Sequence, residues 1–468
     1  MVLFYFRFFF FVFLILFSFS CQSSDLSNLC DPKTKDYLES LLLRYINFDE
    51  TEHCGLVLKV NPPTYLICPS LTPKVNGNFF VENFESDGNR LNFSSNPSLP
   101  EGISFSSFSA SLQGSYFGWK ANRQNYIITA SNPKGSASCT YQPAWMGKLP
   151  VKTNTTSCFD GANNPDPTCT SIPGQDGQLQ KGLPQSFIGP NTVAGVEITT
   201  DLNTGLIWTS CQRGKSGTGC PTVGTITFSY SDAQTECTSL NAGSGFANRT
   251  DWRVPEMEEY TSTFDYSLAN PSINQTYFPA TDNFNFKSNT SNAAATAAYY
   301  PTFIESSIGA GNYGDLHHLR CVSNGPRPTA KRLLDNGNGT ITDLDTSLVW
   351  QRCTAGQTNL TTCSGGTDLI TTWSSAISYC QGLNLAGKIW RLPNANELRS
   401  LLDYYITFGS PGFDPTYFPN TVSSNFWTST TSPLSAANAY IVHFGSSSGG
   451  PDLKSNNTTN RTRCVSDF

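Results

Sequence analysis

The chain has 468 residues, of which 14% are charged, and its formal net charge at pH 7 is −6. This charge balance provides no basic field to attract nucleic acid, so no nucleic-acid partner is expected. Aromatic residues make up 13% of the chain, which argues against disorder. The length predicts about three domains, and the 37 glycines and 28 prolines indicate a β-rich chain of short strands joined by turns.

The first twenty residues have the composition of an export signal. Residues 2–20 are almost wholly apolar, with Arg7 as their only charge, and polar sequence follows Cys21. The pattern predicts a signal peptide over residues 1–20, whereas the alternative, a retained transmembrane helix, needs a longer apolar run. Ser18-Phe19-Ser20-Cys21 resembles a relaxed bacterial lipobox, although the strict pattern has Leu three residues before the cysteine. The resemblance implies lipidation of Cys21, a membrane partner through that N-terminal lipid, and a place on the bacterial cell surface or outer membrane.

The cysteine count also indicates export. The chain has fifteen cysteines, so Cys21 leaves fourteen, an even number that predicts a set of disulfides in an exported protein. Zinc is the alternative, but no CxxC pair occurs and the chain has only four histidines.

Residues 21–57 are predicted to form an N-terminal cap or linker. The segment DPKTKDYLESLLLRYINF has helical spacing at Tyr37, Leu41, Leu42 and Tyr45. Cys30 and Cys54 bracket this helix and could close the cap.

Residues 58–142 alternate apolar and polar positions between turn signals, which predicts antiparallel strands. The unit resembles the immunoglobulin-like domains of bacterial surface proteins at LPEGIS (99–104) and at YIITASN (126–132). The resemblance implies a β-sandwich spacer. Cys68 and Cys139 lie near its two ends and could pair.

The rest of the chain contains the same domain twice. TDLNTGLIW at 200–208 aligns with TDLDTSLVW at 342–350, and Trp252-Arg253-Val254-Pro255 aligns with Trp390-Arg391-Leu392-Pro393. From there the alignment runs without gaps to Tyr266 and Tyr404. Tyr277-Phe278-Pro279 matches Tyr417-Phe418-Pro419, and RCVS at 320–323 matches RCVS at 463–466. Each copy is too long for a solenoid unit, so the sequence predicts a duplicated globular domain.

Both copies resemble the Lcl C-terminal domain, a family common in bacterial exported proteins. The second copy carries its NGxGT turn at 336–340, its WRLPxxxEL motif at 390–398 and NFWTST at 425–430. The first copy is degenerate, because it lacks the NGxG turn and has Lys287 where the second has Trp427. The domains are accordingly predicted at 143–325 and 326–468.

The resemblance extends to the C-type-lectin-like fold. A helix is predicted from Trp373 to Leu383, capped by Thr372, with Cys380 on its buried face. A bridge from this helix to Cys464 in the last strand resembles the conserved disulfide of lectin-like folds, and Cys237–Cys321 repeats it. Loop-closing bridges implied with it are Cys353–Cys363, Cys211–Cys220 and Cys158–Cys169. The expected fold is an immunoglobulin-like β-sandwich followed by two α+β lectin-like domains.

No catalytic, cofactor or metal site is expected. Glu397 lies near Arg391, but Asn394-x-x-Glu397 has the spacing of a helix capping box, which favours a structural role. Asn336 to Gly339 favour a hairpin turn; a calcium loop is the alternative, but Gly337 and Gly339 occupy two positions that would need oxygen ligands.

The expected function is non-catalytic binding at the cell surface, as in an adhesin for host glycans or matrix proteins. The divergent segments 283–314 and 429–461 are the expected ligand loops, because binding residues concentrate in loops on a rigid scaffold. The alternatives are a structural envelope protein and an enzyme related to formylglycine-generating folds, which would need reactive thiols.

Overall fold

The computed structural model describes residues 30–106, 109–221, 226–292, 295–325, 331–404 and 412–468. The predicted signal peptide at 1–20 and the predicted lipidation site Cys21 lie outside the described residues. In the described ranges, no helix combines the length and the hydropathy that crossing a membrane requires.

The described chain contains short helices. They are α1 (Lys35–Ile46), α2 (Asp176–Leu179), α3 (Tyr230–Ser239), α4 (Met257–Tyr260), α5 (Trp373–Gln381) and α6 (Ala395–Ser400), with a 3₁₀ turn at Thr261–Thr263.

Strands are more numerous. They are β1 (Leu66–Ile67), β2 (Phe79–Asn83), β3 (Glu85–Ser86), β4 (Asn92–Asn96), β5 (Ile103–Phe105), β6 (Ser111–Ser115), β7 (Tyr126–Asn132), β8 (Gly135–Tyr141), β9 (Phe187–Val193), β10 (Val196–Asp201), β11 (Ile207–Thr209), β12 (Ala297–Thr302), β13 (Ser307–Asn312), β14 (Val322–Ser323), β15 (Leu333–Asp335), β16 (Thr340–Asp343), β17 (Leu348–Gln351), β18 (Asn425–Thr431), β19 (Asn438–His443), β20 (Pro451–Leu453) and β21 (Val465–Asp467). The protein is therefore β-rich and multidomain, as predicted.

The chain divides into two compact units. The first contains the described part of Met1–Ser70 with Phe80–Gly114 and Asn125–Gln142. The second contains Leu71–Phe79, Ser115–Gln124 and Pro143–Phe468, so both copies of the repeated domain belong to one unit.

In the first unit, α1 confirms the predicted N-terminal helix, but none of its residues is buried. The strands form a two-stranded sheet β1-β3 and two three-stranded sheets, β2-β6-β5 and β4-β7-β8. The predicted alternation is present in β7, where Tyr126, Ile128 and Ala130 are buried and Ile127 is half exposed. Alternate side chains of a strand face opposite sides, so one side of β7 faces the core.

In the second unit, the two copies repeat one plan. The first has a four-stranded sheet β14-β11-β10-β9 and the hairpin β12-β13, and the second has β15-β16-β17-β21 and β18-β19-β20. Asn336 to Gly339 connect β15 to β16, and both glycines have positive φ, 72° and 83°, so the predicted hairpin turn is confirmed.

Helix α5 confirms most of the helix predicted at Trp373–Leu383. It ends at Gln381 because Gly382 takes the C-cap position. Thr372 is the N-cap residue, but its Oγ1 donates to Ser375 Oγ at 3.0 Å, so its side chain accepts no backbone N–H as capping would require. Cys380 is fully buried on the inner face, and Cys464 immediately precedes β21.

The two copies are related by a local twofold axis. Asn285 and Asn425 occupy equivalent positions in the two copies. Asn285 pairs with Thr302 and Asn425 pairs with His443, so Thr302 and His443 are also equivalent and the two hairpins align residue by residue. By this alignment Ile308 and Gly449 are equivalent, and each donates its N–H to the other's carbonyl, at 3.0 and 3.2 Å. A residue that pairs with its own counterpart lies on a twofold axis.

Aromatic contacts repeat around this axis. Tyr266 of the first copy lies edge-on to Tyr440 of the second, 5.0 Å between ring centroids. The equivalent pair, Tyr404 and Tyr299, lies edge-on at 5.1 Å. Buried residues from both copies form one continuous core, so the two copies pack against each other and do not form separate domains with separate cores.

Seven disulfides join the described chain. They are Cys30–Cys54, Cys68–Cys139, Cys158–Cys169, Cys211–Cys220, Cys237–Cys321, Cys353–Cys363 and Cys380–Cys464. This density of disulfides indicates an exported protein, because cytosolic thiols are kept reduced.

Candidate functional site

The candidate site is a cavity of about 520 Å³ in the second unit. It crosses the local twofold axis, because its wall contains equivalent residues from both copies. These pairs are Thr204 and Thr346, Glu258 and Asn396, Thr261 and Arg399, and Ser262 and Ser400. Residues of 116–124 and 148–151 complete the wall.

Three of the four pairs come from α6 and from α4 with the 3₁₀ turn that follows it, and a capping box fixes each helix. In α6, Asn394 accepts a bond from the Glu397 amide and Glu397 accepts one from the Asn394 amide, each at 2.9 Å. In α4, Glu256 and Glu259 form the same box. The predicted capping role of Glu397 is therefore confirmed. Helices this short depend on such caps, because most of their backbone groups have no partner within the helix.

A bidentate ion pair anchors each box. The Arg391 guanidinium donates to both Glu397 oxygens, at 2.6 and 2.7 Å, and Arg253 donates to both Glu259 oxygens, at 2.7 and 2.5 Å. The Glu397 side chain is 1% exposed, and Arg391 holds both its oxygens, so this carboxylate has no free face for catalysis.

Glu258 is one of three acidic residues of the cavity wall. Its carboxylate pairs with Lys120 and, at 3.0 Å, with Lys331. Burial acts to raise the pKa of Glu258, but the two lysines outweigh it and hold the pKa at about 2. Glu258 is therefore ionised and neutralised at physiological pH.

A second ion pair lies in the same wall. Arg123 donates to Asp345, whose carboxylate also accepts the Arg332 amide at 3.1 Å. Neighbouring Asp343 is fully buried, and this burial, with the charge of Asp345, raises the pKa of Asp343 to about 6.

Two cations of the wall have no acidic partner among the described residues. Arg399 is 2% exposed and donates to Tyr266 Oη, to Ser306 O at 2.7 Å and to Gly449 O at 3.3 Å, across the axis. Lys148 is half-buried in the wall, and its ammonium group forms no ion pair within the described part of the chain.

The profile of the Lcl C-terminal domain matches residues 197–323 and 339–466, more than half of the 468 residues. The chain belongs to the Lcl C-terminal domain family. No curated protein matches it. A solved structure described as that of the Yersinia pseudotuberculosis adhesin InvE aligns over 86% of this chain and 96% of its own, at 6% identity and a TM-score of 0.19, too low to indicate a shared fold.

The family match divides the cavity wall in two. Glu258 and Thr261 lie in the first Lcl match and Asn396 and Arg399 in the second. Lys120, Arg123 and Lys148 lie outside both matches. The Lcl domains therefore supply the symmetric walls, and the preceding chain supplies a wall that the family profile does not include.

The predicted ligand loops have a structural role that the sequence did not indicate. Segments 283–314 and 429–461 meet at the Ile308–Gly449 pair, and Tyr440 Oη donates to Glu305 O at 2.7 Å. Ile308 is 4% exposed and Tyr440 is fully buried. Part of each divergent segment therefore forms the interface between the copies and is not a free surface.

One group of possible metal ligands occurs among the described residues, formed by Glu197, Cys211 and Cys220. The two cysteines are bonded to each other, so their sulfurs are not thiolate ligands.

Sequence reasoning did not find the cavity. Its charged residues come from distant parts of the chain, with Lys120 and Glu258 separated by 138 positions and Arg123 and Asp345 by 222. One signal was present in the sequence: Arg399 aligns with Thr261, an unusual replacement inside a stretch that aligns without gaps.

Proposed function

We propose that this chain is an exported, non-catalytic binding protein of the cell surface, and that its ligand site is the cavity on the local twofold axis. The observation that carries the proposal is the composition of that wall. It combines equivalent positions of two copies with a segment outside the Lcl matches, and two of its cations have no acidic partner among the described residues. A cavity of this size with a few placed polar groups is typical of small-ligand sites.

The finer fold assignments belong to this proposal. The three-stranded sheets of the first unit support an immunoglobulin-like spacer. In each copy a disulfide connects a helix to the residue before the last strand, Cys237–Cys321 and Cys380–Cys464, which supports a lectin-like fold.

Membrane attachment through a lipid on Cys21 completes the proposal and places the protein on a bacterial surface. Its support is the sequence before Cys21, together with the disulfides, which are typical of oxidising compartments.

A non-catalytic role is supported by the thiol chemistry. Fourteen cysteines of the described chain are bonded in pairs, and a disulfide sulfur is not a nucleophilic thiolate. Titration of the denatured, unreduced protein should find no free thiol beyond Cys21; two or more would revive the enzyme alternative.

The partners proposed are host glycans or extracellular-matrix proteins that present a small group to the cavity. The test applies the mature protein to glycan arrays and to immobilised matrix proteins. A Thr261→Phe variant should lose the binding, because the new ring occupies cavity space at a position where the second copy already accommodates Arg399.

Thr218→Phe is the matched control, because Thr218 is exposed and does not line the cavity. Binding that survives Thr261→Phe would place the ligand elsewhere and overturn the cavity as the site. An absence of binding across both panels would overturn the binding role and favour a structural envelope protein.

A further inference from the structure

The charge balance of the cavity wall is uneven. Its three acidic residues are each paired, Glu258 with Lys120 and Lys331, Glu259 with Arg253, and Asp345 with Arg123. Glu258 is paired with two lysines, and buried Asp343 supplies a second negative charge near them, so this group is close to neutral.

Arg399 and Lys148 add two positive charges that no carboxylate of the described chain neutralises. A buried cation is costly unless it is paired, because it loses its hydration. Arg399 recovers part of this loss through the Tyr266 hydroxyl and the Ser306 and Gly449 carbonyls. Those acceptors are neutral, so the charge itself remains uncompensated.

Two other buried arginines show why the position of Arg399 matters. Arg320 and Arg463 are fully buried, and both donate to backbone carbonyls and lie over phenylalanine rings. Neither lines the cavity, so each belongs to the scaffold of its own copy. Arg399 has the same chemistry, but it lies in a wall with space beside it.

The shape of the cavity limits the ligand. A cavity of about 520 Å³ lies in the size range of small-molecule sites, roughly 300–1,000 Å³. Trp119 and Tyr116 also line the wall, and both are partly exposed. Flat rings of this kind pack against other flat or cyclic groups.

We infer that the cavity binds a small anionic ligand, a carboxylate carried on a six-membered ring, whose charge is balanced by Lys148 and Arg399. The inference rests on the proposed function, because it names the ligand class of that same site. Lys148 makes the direct contact, since this residue lines the cavity and is only half-buried. Arg399 acts through its charge, since its Nε is buried and has no partner among the described residues.

The same carboxylate chemistry has two sources, an acidic sugar and an aromatic acid. The experiment therefore uses four probes on the mature protein, measured by titration calorimetry: glucuronate with its neutral counterpart glucose, and benzoate with benzyl alcohol. The acid of at least one pair should bind about tenfold more tightly than its neutral partner, and added salt should weaken the acid alone. The pair that binds identifies the source.

Lys148→Gln is the decisive variant, because within the described chain Lys148 makes no ion pair that its loss would break. It should weaken acid binding about tenfold and leave the unfolding temperature unchanged. Lys388→Gln, at a lysine outside the cavity, should bind like the wild type. If the Arg399→Gln variant folds, it should weaken binding further. If it does not fold, the Lys148→Gln variant still tests the inference.

The outcomes separate the inference from the function on which it rests. Equal binding of acid and neutral probes, or no effect of Lys148→Gln, would overturn the anionic ligand while leaving the cavity in place, provided that Thr261→Phe abolishes binding. Failure of all four probes would also overturn this inference. Loss of the cavity function would appear separately, as array or matrix binding that Thr261→Phe does not change.

Discussion

Ile308 and Gly449 are equivalent residues of the two copies, and their backbones hydrogen-bond to each other in both directions, at 3.0 and 3.2 Å. The duplication has therefore produced an internal dimer, in which the same residue position of each copy contacts its counterpart in the other. Such an arrangement needs a self-complementary face, and here the divergent segments of both copies provide it.

The neighbouring strand of the same copy leaves little room for a side chain at Gly449. A Cβ there would overlap the Ile441 carbonyl oxygen and approach the Val442 Cα to 3.1 Å. Gly449→Ala should therefore lower the free energy of unfolding by about 1–3 kcal/mol, because backbone must shift to accept the methyl group. Urea denaturation measures the change. Gly314→Ala is the control, since a Cβ at Gly314 meets open space, and equal effects of the two substitutions would contradict the packing argument.

The sequence was sufficient to predict local structure where one short segment contains all the interacting groups. The capping box at Asn394 and Glu397 spans three residues, and the turn at Asn336 to Gly339 spans four, so their spacing is decisive. The helix from Trp373 was predicted two residues too long, because Leu383 continues the apolar spacing beyond Gly382.

The cavity and the interface between the copies could not be predicted in this way. Both depend on how the copies pack, and the residues that meet at the axis, such as Ile308 and Gly449, are distant from each other in the chain. The divergence of segments 283–314 and 429–461 was interpreted as loop variation, whereas part of each segment forms the interface between the copies. A single sequence does not distinguish these causes.

The disulfides should contribute unequally to stability. Cys380–Cys464 closes a separation of 84 residues and Cys353–Cys363 one of 10. In the chain-entropy account the long bridge contributes about 4.5 kcal/mol and the short one about 2.7 kcal/mol. Paired Cys→Ser variants, compared by urea denaturation, should show the larger loss for the long bridge. Equal losses would mean that strain or residual structure, and not loop length, sets the contribution.

The two ion pairs that anchor the capping boxes should also differ in their contribution to the free energy of unfolding. Arg391 and Glu397 are 9% and 1% exposed, whereas Arg253 and Glu259 are 14% and 5% exposed. Arg391 also pairs with Asp467 at 2.8 Å, but Asp467 is 46% exposed, so it compensates only part of the charge that Glu397 balances. Glu397→Gln should therefore cost about 3 kcal/mol. Glu259→Gln should cost less, because water reaches Arg253 more easily. Chemical denaturation of the two variants makes the comparison, and a larger loss at Glu259 would contradict it.

Asp176 should make the protein less stable as the pH rises through the weakly acidic range. The residue is 1% exposed; Thr153 and Thr430 donate to its Oδ2 at 2.6 and 2.5 Å, and its Oδ1 has no partner among the described residues. Burial raises the pKa of Asp176 to about 6, against the bonds from the two threonines and with a further increase from the charge of Glu397. The folded state therefore holds this proton more tightly than the unfolded state, whose pKa is near 3.8.

Because the folded pKa is the higher one, the stabilisation from this proton is complete below about pH 4 and lost as the pH rises through about 6. Asp176→Asn removes the charge and keeps an oxygen for the two threonines. We expect this variant to be more stable than the wild type at pH 7.5, by roughly 1–3 kcal/mol, and equal to it near pH 4. Unfolding curves from pH 4 to pH 8 measure the difference. Asp343, which is also buried with a pKa of about 6, is unchanged in both proteins, so its contribution cancels. A gain in stability that is the same at every pH would show that Asp176 is not the titrating group.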